Sequence, residues 1–106
     1  MNRNIKVATT NAQKTKFENA VKDYIFTTTR FNTLYNEYDL QVDYDSEYGI
    51  VNIEYASTTI RFFFCGEESM IINIKDKPNI NEVLLIRDIM RSYEEVAMMY
   101  DSVFKN

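Results

Sequence analysis

The chain has 106 residues, 45% of them hydrophobic, with 12 basic and 16 acidic side chains, no histidine and a single cysteine. Such a length predicts one domain over 1–106, able to bury roughly 60–70% of its unfolded surface without a metal or disulfide staple. The composition excludes histidine-based triads and imidazole metal sites, an internal disulfide and an uninterrupted apolar span of membrane length, and it argues against direct binding to nucleic acid. Cys65 in an apolar run, and a start at Met1-Asn2-Arg3-Asn4-Ile5-Lys6 without a long apolar core, predict a reduced, cytoplasmic protein.

Residues 1–9 read as a polar lead-in. Thr10 and Gln13 have capping-box spacing and start the first helix. Phe17, Ala20, Val21, Tyr24 and Ile25 then recur on one helical face. Thr27, Thr28 and Thr29 interrupt, yet Phe31, Leu34, Tyr35 and Tyr38 resume the same spacing. The expectation is one long helix ending near Tyr38 and bent at the threonines, with two helices broken at 27–29 as the alternative.

From Leu40 the period drops to two. Leu40, Val42 and Tyr44 alternate with Gln41, Asp43 and Asp45, and Val51, Ile53 and Tyr55 with Asn52 and Glu54. A third strand spans Thr59 to Cys65, with Ile60, Phe62 and Phe64 on one face, and a fourth spans Met70 to Lys75. The turns at Asp45–Gly49, Ala56–Thr58 and Gly66–Ser69 are short, so the strands pair antiparallel in sequence order. Asn79 and Glu82 cap a last helix running from about Ile80 to Phe104. Its seam of Ile86, Ile89, Tyr93, Val96, Tyr100 and Val103 repeats every three and four residues. The predicted fold class is α+β: an antiparallel four-stranded meander with the N-terminal and C-terminal helices packed on one face. The other face carries Gln41, Asp43, Asp45, Asn52, Glu54, Arg61 and Phe63, with Asn73 as a further candidate.

No catalytic motif is present, Gly49 and Gly66 stand apart from any phosphate loop, and Cys65 has no histidine to activate it. Its burial as a small strand residue is the expectation. The chain therefore reads as a non-enzymatic protein without a cofactor. Asp43, Asp45, Glu47 and Glu54 fall at positions one, three, five and twelve of a calcium-loop count, but Tyr48 occupies the obligatory glycine position and the flanks are strands. No metal site is expected there.

The charge is localised. Residues 31–60 contain six carboxylates (Glu37, Asp39, Asp43, Asp45, Glu47 and Glu54), no Lys or Arg, and five of the eight tyrosines. Asp43 and Asp45 share one strand face about 6.6–6.8 Å apart, and a rigid row of carboxylates can imitate a nucleic-acid backbone, whose charges also repeat every few ångströms. Glu54 extends the patch onto the next strand, and Glu37, Asp39 and Glu47 border it. These six, with Tyr48 and, less directly, Tyr44, are the candidate partner-binding residues, because carboxylates attract Arg and Lys while tyrosine supplies rigid contact area.

With that size, acidity and helix-flanked antiparallel sheet, the chain resembles small phage-encoded inhibitors of the anti-CRISPR and DNA-mimic type. The resemblance covers size, charge and architecture, with no motif aligned. It implies an inhibitor that occupies the nucleic-acid site of a nuclease or other nucleic-acid enzyme, while the net negative charge separately argues against direct contact with nucleic acid or an anionic membrane. The alternatives are an immunity protein for a basic toxin, and a ligand sponge or oligomeric scaffold, the sponge needing a basic pocket from Arg61, Arg87 and Arg91. The two helical stripes leave two outcomes: a homodimer through the helices, or mutual packing within a monomer.

Overall fold

The computed structural model describes residues 10–66, 69–74 and 76–105. The expected lead-in at 1–9 and the Glu67–Glu68 part of the third turn lie outside the described residues, as does Lys75. Helix α1 (Asn11–Thr28) begins at the expected box: the Thr10 hydroxyl accepts the Gln13 N–H at 3.1 Å, and the Gln13 side chain accepts the Thr10 N–H at 3.0 Å. Phe17, Val21 and Ile25 are its buried stripe.

The single long helix to Tyr38 is not formed. The hydroxyls of Thr27, Thr28 and Thr29 donate back to the carbonyls of Asp23, Tyr24 and Ile25, competing locally with continuation of the helix. Thr29 leaves the helix in an extended conformation, and its hydroxyl also accepts the Phe31 N–H at 3.1 Å. That contact starts the four-residue α2 (Phe31–Leu34), followed by a 3₁₀ turn at Glu37–Asp39. Phe31 is buried and Tyr35 half-buried, but Tyr38 is 83% exposed and off the core face.

Strands β1 (Gln41–Asp45), β2 (Ile50–Tyr55), β3 (Thr58–Phe63) and β4 (Ser69–Ile74) form one antiparallel meander in the order β1-β2-β3-β4. The register sets Tyr44, Val51, Phe62 and Met70 side by side on the helix-covered face, with Val42, Ile53, Ile60 and Ile72 as the next row. Gly49 closes the first hairpin at φ +68, and a side chain there would also collide with the Cys65 Sγ. Cys65 itself lies two residues past β3 and is exposed rather than buried, with its Sγ 3.6 Å from the Tyr100 hydroxyl.

The last helix is also divided. α3 (Ile80–Arg91) and α4 (Tyr93–Phe104) meet at buried Ser92, whose hydroxyl donates to the Ile89 carbonyl at 2.6 Å. Asn79 caps α3 by accepting the Glu82 N–H at 2.9 Å. The Glu82 carboxylate accepts instead from the Tyr35 hydroxyl, tying α2 to α3. Five members of the expected seam, Ile86, Ile89, Tyr93, Val96 and Tyr100, are buried within the chain.

Two aromatic clusters finish the core. Phe17 meets Tyr44, Phe64, Tyr100 and Phe104 at one end of the sheet, and Phe31 meets Tyr35 and Tyr55 at the other. Each such pair adds about 0.5–1.5 kcal/mol beyond the area it buries. No helix among the described residues is long and apolar enough to cross a membrane.

Candidate protein interaction face

Both helical segments stack on one side of the sheet, and no helix among the described residues covers the opposite side. Its rows follow from the register: Gln41, Glu54, Thr59 and Asn73; then Asp43, Asn52, Arg61 and Ile71; then Asp45, Ile50, Phe63 and Ser69. Alternation along β1 and β2 thus brings Asp43, Asp45 and Glu54 together on this face, as the period-two pattern requires.

The Asp43 side chain is 70% exposed, and one of its oxygens lies 3.3 Å from the Lys14 ammonium. Lys14 also holds Glu18 at 2.7 Å. The Glu18 hydrogen bond, with Asp43 beside it, raises the Lys14 pKa above its usual value despite some burial. Asp45 accepts the Glu47 N–H at 3.0 Å, so its carboxylate organises the turn as well as facing outward. Glu47 and Tyr48 are exposed at that turn, Tyr48 at 61%.

Glu37 and Asp39 do not join the row. Both lie in the 3₁₀ turn before β1, where Asp39 accepts the Asn36 N–H at 3.1 Å. Glu37 lines a recess with Asn19, Lys22, Asp23 and Phe26, which belong to α1. Tyr44 points into the core between Phe17 and Phe104, and burial pushes its hydroxyl pKa up.

The face is less uniformly acidic than the alternation implied. Ile50, Phe63 and Ile71 also project from it, Ile71 with 52% of its surface exposed. Ile50 could have been found by extending the β2 alternation back one residue. Ile71 sits in an unbroken apolar run, Met70-Ile71-Ile72, whose facing only the pairing with β3 decides. The face therefore grades from carboxylates on β1, through Arg61 on β3, to isoleucine on β4.

No three His, Cys, Asp or Glu side chains among the described residues converge as a metal site would require. Arg61 leaves the open face while Arg87 and Arg91 belong to α3 behind the sheet, so these arginines do not form a common pocket. Comparisons with protein-family models, curated proteins and solved structures returned no match.

Proposed function

We propose that this chain is a non-enzymatic binding protein that inhibits a basic, nucleic-acid-handling protein through the open face of its sheet. The observation that carries the reading is the row of Asp43, Asp45 and Glu54 standing beside the apolar Ile50, Phe63 and Ile71 on one surface. Carboxylates at the border steer Arg and Lys of the partner and speed encounter. An apolar centre supplies the desolvated contact that holds the complex. This mixed surface favours docking on protein over imitation of a nucleic-acid backbone, which would carry charge throughout. Neutralising a basic toxin uses the same chemistry and is the second reading.

Affinity capture from a related host, with mass spectrometry of what is retained, identifies the partner. The expected result is a basic nuclease or other nucleic-acid enzyme, and a secreted-type toxin would select the second reading. The variant Asp43→Asn, Asp45→Asn, Glu54→Gln should lose most of the inhibition and of the salt dependence while keeping its fold. Normal inhibition by that variant would leave the acidic row with a solvating role only.

A further inference from the structure

The two edges of the sheet are built differently. Tyr55 and Thr58 flank the two-residue turn Ala56-Ser57, and such a closing pair exchanges both backbone hydrogen bonds. Counting outward from it by alternation turns the Tyr44 backbone away from β2, towards the open side of β1. The Glu18 carboxylate takes that N–H at 2.7 Å, and α1 lies along the strand. The same alternation turns Ser69, Ile71 and Asn73 towards β3, and the backbone of Met70, Ile72 and Ile74 away from it. Beyond β4 the sheet has no further strand among the described residues.

From Ser69 to Ile74 the strand carries no charge and no proline, the usual guards of a free edge. Next after β4 in the chain, α3 offers an exposed Val83 and Met90. These lie roughly 140–160° around the helix from Asp88 at 100° per residue. Asp88 is the residue that binds Arg30 of the α1–α2 junction at 2.7 Å. Val83 and Met90 therefore stand on the flank away from α1, on the β4 side of the layer.

We propose that β4 pairs antiparallel with β4 of a second copy of this chain, forming a two-fold dimer with one continuous eight-stranded sheet. The strand is self-complementary. A two-fold axis at Ile72 sets Ile72 opposite its own mate and Met70 opposite Ile74, so every outward backbone group meets another outward group. On the open face the same register sets Ile71 opposite Asn73. No charged side chain of β4 enters the contact, which allows two chains of net charge −4 to meet. The Val83–Met90 flanks of the two α3 helices approach across the axis and bury together. Because α1 and Glu18 close the β1 edge, association stops at two copies and gives a closed dimer, not a filament. The proposal is independent of the acidic-row reading, since it is read from the isolated protein.

Sedimentation equilibrium from 1 to 100 µM, with amide hydrogen exchange at both ends of that range, tests it. The expected result is a mass that doubles with concentration, together with slowed exchange of the Met70, Ile72 and Ile74 amides in the dimer. Ile71→Lys, on the solvent face beside the axis, should return the mass to that of the monomer with an unchanged circular dichroism spectrum. Met98→Glu on α4 should leave the dimer intact. A monomer mass at 100 µM overturns the proposal. So does a dimer in which those three amides exchange as fast as in the monomer, and this wild-type measurement decides the matter even if Ile71→Lys fails to fold.

Discussion

Among the described residues, one edge of the sheet is covered by a helix and its carboxylate, and the other has no strand beyond it. At β1, α1 delivers a carboxylate to a strand amide and a lysine that clasps both Glu18 and the strand residue Asp43. At β4 the outer residues Met70 and Ile72 pack inward on the core with their side chains, while their backbone faces away from the sheet. The difference teaches that an edge is closed by what a helix of the covering layer carries at the right height. α1 carries Lys14 and Glu18 one turn apart on its sheet-facing border, and α3 carries Val83 and Met90 on its outer flank.

The most severe way to break the contrast is to remove the wedge that holds α1 down. Phe17 is fully buried and touches four aromatic rings, so Phe17→Ala should cost about 3–5 kcal/mol, read by urea denaturation. Glu18→Ala should cost about 1–3 kcal/mol, because it leaves the Tyr44 N–H without its acceptor. With both edges then open, the variant should form assemblies larger than a dimer on size-exclusion chromatography. Retention of the wild-type size would separate edge closure from stability.

Alkaline titration sharpens the comparison more gently. Burial, followed by the hydrogen bond to Glu82, pushes the Tyr35 hydroxyl up to about 12 from its usual value of 10.0. A folded-state pKa raised above the unfolded one stabilises fully below pH 10 and is lost as pH rises through 12. Lys14, raised above 10.5, loses its contribution in the same direction. Tyr35→Phe should therefore reduce, without abolishing, the fall in melting temperature between about pH 10 and 12, because Lys14 and the buried Tyr44, Tyr55 and Tyr100 hydroxyls, all raised above their usual values, lose stability in the same direction.

A smaller effect of opposite sign is expected at Tyr55, whose buried hydroxyl has no hydrogen-bond partner among the described residues. Tyr55→Phe should raise stability by about 1 kcal/mol, measured by thermal denaturation, since it deletes a polar group that folding strips of water. Smallest of all is Asp43→Asn. Its ion pair with Lys14 is solvent-exposed, so stability should change by less than about 0.5 kcal/mol while partner binding weakens.

The sequence by itself determined the kind of each element and much of the acidic row. Periods of 3.6 at Phe17–Ile25 and of two from Leu40 to Tyr55 are local properties, and so are the caps at Thr10 and Asn79. Asp43, Asp45 and Glu54 shared a face as soon as their strands were recognised. Tertiary structure decided the rest. The end of the first helix at Thr28 is the local exception: three threonine hydroxyls donate to the carbonyls of Asp23, Tyr24 and Ile25, where apolar spacing alone favoured continuation to Tyr38. Glu37 and Asp39 left the face with the turn that this ending created. Ile71 became an open-face residue only through its pairing with Arg61. Which edge was closed depended on Glu18 reaching Tyr44 across 26 residues of chain. Periodicity reports which side of its own element a residue occupies, whereas register and edge closure depend on groups far apart in sequence, and only the folded chain brings those together.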